Sequence, residues 1–213
     1  DSLEVGTKMG LLDQSLFLNF AYFHNKYKDI QLSVFTEYTL PNGSKSFFGD
    51  FTNAGAGTID GFEVEYQWMP SNRWLISGNL AWMDSKYTEF MSSNVNIADT
   101  QYFTNAPEFS GAFNIEHRLP MIAGGELTAR AGYTYQSSVW PTTDLSPAIY
   151  QEGYGLVNAG LIWRKKPWTV SLQGSNLTDE EYRTTGYNIA AYGVLTGFYG
   201  APRQYSLTVR YDF

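Results

Sequence analysis

Leu127-Thr128-Ala129-Arg130-Ala131-Gly132-Tyr133-Thr134-Tyr135-Gln136 places Leu127, Ala129, Ala131, Tyr133 and Tyr135 on one side and the intervening, mostly polar residues on the other. Successive strand residues point to opposite faces, so this two-residue period marks a β-strand with one apolar face, whereas a helix repeats its apolar residues every three or four positions. The same alternation precedes it. Phe109, Gly111, Phe113, Ile115, His117 and Leu119 oppose Ser110, Ala112, Asn114, Glu116 and Arg118, and Phe62, Val64, Tyr66 and Trp68 oppose Glu63, Glu65 and Gln67. At the end of the chain Tyr205, Leu207, Val209, Tyr211 and Phe213 oppose Gln204, Ser206, Thr208, Arg210 and Asp212. Further strands are expected to start at Leu16, Trp74, Val157 and Trp168. With the opening segment, the pattern predicts about nine antiparallel strands and an all-β fold.

Composition agrees. Aromatic residues make up 17%, charged residues only 16%, and there are 20 glycines, a mixture that suits sheet with tight turns. No cysteine is present, which excludes disulfides, thiolate metal sites and thiol catalysis. A net charge of −7 argues against a phosphate-binding surface, so no nucleic-acid partner is expected. No run of apolar residues is long enough for a spanning helix, and no stretch reads as a signal peptide. Any crossing of a membrane must therefore be made by strands.

The connections alternate in length. Short ones fall at residues 11–14, 70–73, 120–125 and 164–167, and long ones at 38–49, 86–102, 139–151 and 184–197, judged by their Gly, Pro, Asn and Ser content. Membrane barrels have this asymmetry, with short periplasmic turns and long external loops. Several strands exceed the usual ~5–6 residues and reach the ~9–11 needed to cross a bilayer at a tilt. Trp68 and Trp74 flank one short turn, Trp163 and Trp168 another, and Tyr211 and Phe213 end the chain, as expected for an aromatic girdle at a lipid boundary. An odd number of antiparallel strands does not close up and down. Asp1-Ser2-Leu3-Glu4-Val5 already reads as strand, so the sequence is expected to continue a longer one.

Three elements near the end carry a resemblance: Gly155-Leu156-Val157-Asn158-Ala159, then Asn176-Leu177-Thr178-Asp179-Glu180-Glu181-Tyr182, then Gly200-Ala201-Pro202-Arg203 before the terminal Phe213. Together they resemble the C-terminal signature of TonB-dependent receptors. Asn53-Ala54-Gly55-Ala56-Gly57-Thr58-Ile59-Asp60-Gly61-Phe62-Glu63 is similar to an upstream strand of that family, with Thr58 where alanine is usual. The resemblance implies that residues 1–213 are the last nine strands of a 22-stranded outer-membrane barrel. It further implies a plug domain and a TonB-contacting segment, neither of them in this chain. Partners so implied are outer-membrane lipid, TonB through the N-terminal region, the barrel-assembly machinery through Phe213, and a small ligand such as a ferric siderophore. Asn176, Leu177, Thr178, Asp179, Tyr182, Pro202, Arg203 and Phe213 are read as structural members of the motif, with Asn176 and Asp179 bonding to backbone or a neighbouring strand and Arg203 pairing with a carboxylate.

No enzyme motif, cofactor signature or metal-ligand spacing is found. Glu116 and His117 are adjacent and so face opposite ways. Asp179, Glu180 and Glu181 read as a solvated turn. Tyr102, Phe103, Trp140, Tyr150, Tyr187, Tyr192, Phe198 and Tyr199 in the long links are the candidate ligand contacts, since flat rings with polar edges suit aromatic or sugar-like ligands. The competing role for these rings is packing within the loops or forming the outer aromatic girdle. A passive porin and a soluble carbohydrate-binding barrel are the alternative functions.

Overall fold

The computed structural model describes residues 1–92, 95–189 and 193–213, with the side chains of 32–37, 45, 47–52 and 54 excepted. The strands are β1 (Ser2–Leu11), β2 (Leu16–Thr39), β3 (Lys45–Ser71), β4 (Trp74–Ser92), β5 (Val95–Asn96), β6 (Phe109–Arg118), β7 (Glu126–Gln136), β8 (Tyr154–Lys165), β9 (Trp168–Ser175), β10 (Arg183–Ile189), β11 (Val194–Tyr199) and β12 (Gln204–Tyr211). Nine of them form one antiparallel path, β1-β2-β3-β4-β6-β7-β8-β9-β12, while β5 pairs with β4 and β10 with β11. The nine strands of that path match the alternation of the sequence. β1 and β12 are its two edges.

Register shows why the alternation matters. One continuous row runs Leu18, Tyr66, Gly78, Phe113, Tyr133 and Val157 across neighbouring strands. The apolar positions of the alternating pattern therefore share one face. Among the described residues no second layer covers that face: Phe113 is 44% exposed, Leu172 50% and Leu207 67%. A soluble sandwich buries such positions between its sheets; here they form an apolar wall. The band is bounded at the turn end by Trp68, Trp74, Trp163, Trp168 and Tyr211, with the Trp168 and Tyr211 rings 4.9 Å apart. At the loop end it is bounded by Tyr22, Phe62 and Trp82, whose rings approach within 5.1 and 5.9 Å. Just beyond that second girdle the same face turns polar, with His24, Asp60 and Asp84 in register and the His24 imidazole 2.7 Å from the Asp60 carboxylate.

The opposite face is polar throughout its middle. Ser77, Asn114, Glu116, Arg130, Thr134, and Gln173 line a shared recess of about 800 Å³, and Glu116 sits directly across from Arg130. Asn19 donates to Glu65 on this side at 3.2 Å. Among the described residues no helix is long and apolar enough to cross a membrane, which says nothing about strands.

The long links are more ordered than their turn-rich composition predicts. Residues 38–49 are not an open loop: β2 and β3 stay paired as far as Thr39 and Lys45, closed by a tight turn in which Asn42 accepts from the Ser44 N–H at 3.0 Å and Gly43 takes φ +81°. Continuous ladder bonding carries the hairpin up to the few residues where the turn formers cluster. Within residues 86–102 β4 continues to Ser92, and a 3₁₀ turn spans Ala98–Thr100. Residues 184–197 hold most of the β10–β11 hairpin. Most of the buried apolar residues lie at this end, namely Tyr87, Phe90, Ala98, Val139 and Ile149, so the packed core sits above the wall.

Candidate ligand-binding recess and motif cluster

Four of the eight loop aromatics meet in one place. A recess of about 760 Å³ opens where β4 runs past the end of β6, between residues 98–108 and 137–150. Tyr102, Phe103, Trp140 and Tyr150 line it. Phe103 stacks on Tyr87 with centroids 4.1 Å apart and planes within 7°, and Trp140 lies 4.6 Å from Tyr150 and 6.2 Å from Tyr102. Tyr102 is 57% exposed, so its face is available. Phe103 reaches this position because Gly57 has no side chain; a Cβ there would stand 2.7 Å from the Phe103 ring. One glycine of the upstream motif thus seats an aromatic of the recess.

The second group lies on the β10–β11 hairpin. Tyr187 and Phe198 meet edge to face at 5.9 Å, and the Arg183 guanidinium lies 5.9 Å from the Tyr199 ring. Tyr192 lies outside the described residues. The hairpin is fastened to the 139–151 segment: the Arg183 N–H donates to Gln151 Oε1 at 2.7 Å, Arg183 Nη1 donates to the Tyr150 carbonyl at 2.8 Å, and Asn188 donates to Ser146 Oγ at 2.8 Å. Ile149, 1% exposed, packs against Gly186. The two aromatic groups therefore belong to one connected cap.

Asn176-Leu177-Thr178-Asp179 forms the junction between the wall and that cap. Asn176 is 4% exposed. Its Nδ2 donates to the carbonyls of Glu180 (2.8 Å) and Ala201 (3.1 Å), its Oδ1 accepts from the Glu180 N–H (2.8 Å), and its own N–H donates to Asn158 Oδ1 (3.1 Å). A φ of +47° makes asparagine a suitable non-glycine residue here. The Leu177 N–H continues to the Val157 carbonyl at 2.8 Å. Asp179 accepts from the Arg203 N–H at 3.0 Å and from Arg203 Nη2 at 3.3 Å, which ties the entry of β12 to the exit of β9. Tyr182 stacks on Tyr154 at 4.4 Å and lies over Gly200, where a Cβ would overlap the ring. Thr178 and Pro202 sit beside these contacts. Phe213 is fully exposed, with its ring 5.0 Å from Tyr211.

Sequence reasoning missed Tyr87, Asp84, Lys86, Asp99, Gln101 and Glu108, which also line the recess. None carries a motif; Asp84, Lys86 and Tyr87 arrive on β4, and Asp99, Gln101 and Glu108 on the 3₁₀ turn and the link that leads to β6. Among the described residues no group of histidine and acidic side chains is arranged to hold a metal.

A single-layer wall with an uncovered apolar face between two aromatic girdles, a polar inner face and a loop cap at one end defines a transmembrane β-barrel. The family profile described as "TonB dependent receptor-like, beta-barrel" matches residues 1–177, and the chain belongs to that family of outer-membrane receptors. A probable TonB-dependent receptor of Bordetella pertussis, BfrD, is 26% identical over 88% of this chain and 24% of its own length. The probable TonB-dependent siderophore receptor PiuA of Acinetobacter baumannii is 24% identical over 87% of this chain and 24% of its own. Among solved structures, the ferric yersiniabactin uptake receptor FyuA of Yersinia pestis superposes with a TM-score of 0.78 at 20% identity, over 100% of this chain and 29% of that one. The chain thus spans about a quarter of the length of the curated relatives it matches.

Proposed function

We propose that residues 1–213 form the last nine strands of a 22-stranded barrel whose plug domain and TonB-contacting segment lie elsewhere in the protein. The whole receptor takes up a ferric siderophore across the outer membrane at the expense of energy relayed by TonB. This chain contributes wall and external loops. The observation that carries the reading is the aromatic recess in the loop cap, taken together with the siderophore receptors among the related proteins. Tyr102, Phe103, Trp140 and Tyr150 supply the ligand contacts, with Tyr187 and Phe198 on the adjoining hairpin. The open edges of β1 and β12 favour the larger barrel, because each backbone group left unpaired in lipid costs several kcal/mol. Phe213, exposed beside Tyr211 at the turn end, is the element read by the barrel-assembly machinery, and the apolar face contacts outer-membrane lipid. A passive porin is the weaker reading, since the chain's family is one of TonB-dependent receptors.

The test is growth and radiolabelled iron uptake on a panel of ferric siderophores, in cells with and without the receptor gene and with and without TonB. Uptake of one ferric complex that needs both supports the proposal. Uptake that needs the receptor but not TonB would establish the porin.

A further inference from the structure

We propose that Gly57, on β3, is a positioning residue for the recess: its lack of a side chain holds Phe103 back against the wall and keeps the recess wide enough for a ligand with a fused-ring aromatic body. The inference rests on the reading of this recess as a ligand site and names a residue behind its lining that sets the size of ligand it admits.

Phe103 is confined on two sides. Its ring lies flat on Tyr87, with centroids 4.1 Å apart and planes within 7°. Tyr87 is in register with Gly57 on the neighbouring strand, and the edge of the Phe103 ring fills the space that a side chain at residue 57 would take. Tyr87 cannot retreat. It is 8% exposed and meets the buried Phe90 edge-on at 5.1 Å, with Ala98, Ile30 and Ile97 packed around the pair. Interiors packed in this way yield little. A methyl at residue 57 would stand 2.7 Å from the Phe103 ring, against an ordinary contact of ~3.5–4.0 Å, so the ring must shift by about 1 Å toward the recess it lines.

Gly61, further along β3, supplies the contrast. It too has a ring in place of a side chain, that of Phe23, and its Cβ would meet the Trp82 carbonyl at 2.8 Å, just as one at Gly57 would meet the Lys86 carbonyl at 2.8 Å. The strain on the ladder is therefore alike at the two positions. Only at Gly57 does the displaced ring belong to the recess.

The experiment uses the intact receptor in lipid nanodiscs and two probes that share a phenol and a sulfonate, 4-hydroxybenzenesulfonate and 6-hydroxynaphthalene-2-sulfonate, titrated by ligand-observed NMR. Binding that is lost in the Trp140→Ala receptor is counted as binding in the recess. Gly57→Ala is expected to weaken the naphthalene probe about tenfold and the benzene probe by less than about twofold. Gly61→Ala should change either probe by less than about twofold. In a Phe103→Leu receptor, where the ring is gone, adding Gly57→Ala should change neither probe, because its effect passes through that ring. Equal weakening by the two glycine substitutions, a Gly57 effect that persists in the Phe103→Leu background, or no Trp140-dependent binding of the naphthalene probe overturns the inference. Uptake of the ferric ligand by the Trp140→Ala receptor is scored separately. Unchanged uptake with the expected glycine results removes the recess from the transport reading and leaves Gly57 its role, whereas lost uptake without a Gly57 effect does the reverse.

Discussion

Replacing Phe113 and Phe109 by arginine, one at a time, separates a lipid-facing wall from a water-facing one. Both residues lie on β6, on the same face, and both are about two-fifths exposed (44% and 39%). They differ in depth. Phe109 is in register with Trp82 at the loop-end girdle, whereas Phe113 lies four residues deeper and four residues short of His117, which stacks on Trp74 at 3.8 Å. At ~3.3 Å per residue and a tilt of ~40°, four residues put Phe113 about 10 Å from either boundary, close to the middle of a band ~25 Å tall. An arginine at that depth costs about 2–4 kcal/mol, and one at the girdle about 0–1 kcal/mol. The difference is roughly a hundredfold in the folding equilibrium. Denaturant titration of the intact receptor from lipid vesicles, followed by tryptophan fluorescence, measures both. Equal costs at the two positions would refute the assignment, because a water-exposed face has no depth.

Asn176→Ala removes three side-chain hydrogen bonds from a buried junction and should cost about 3 kcal/mol, seen as protease cleavage between residues 176 and 183 while the wall stays resistant. Gly200→Ala forces Tyr182 off its stack with Tyr154 and should loosen the same segment, whereas Gly43→Ala, with nothing within 4 Å of the added carbon, should cost only the ~1 kcal/mol of its left-handed backbone. Trp140→Ala should weaken ligand binding at least tenfold with little change in thermal stability, since Trp140 is a partly exposed wall of the recess. Ile149→Ala removes the most buried side chain of the cap and should instead lower the stability of the cap by about 2–4 kcal/mol, read as faster hydrogen exchange in β10 and β11.

The wall was legible because its physics is local. Alternation in Phe109–Arg118 and Glu126–Gln136 reports the two faces directly, and the tryptophans flanking residues 72–73 and 166–167 mark the boundary without any knowledge of pairing. The loop end was less legible. Residues 38–49 carry Pro, Asn, Gly and Ser, but the turn is confined to Pro41 to Ser44 and the flanking residues join the β2–β3 ladder, because strand pairing extends as far as the tight turn allows. The candidate site was half legible. Aromatics announce themselves by type, but Tyr102 and Trp140 meet only through the crossing of two links nearly forty residues apart, and Gln101 and Glu108 enter the same recess on the link that leads to β6. The motif residues illustrate the opposite case: Asn176 and Asp179 stand out in the sequence, and the structure gives their reason as hydrogen bonds that fasten β8, β9 and the entry of β12.

The central claim is that this chain is wall and loop cap of a larger outer-membrane receptor. It is tested most directly by fractionating the source cells on a density gradient and measuring the intact mass of the protein that carries the peptide ending at Phe213. The account predicts a detergent-extracted outer-membrane protein of about four times the 24.0 kDa of this chain, in line with relatives of which it spans 24%. A protein of 24 kDa recovered in the soluble fraction would contradict it.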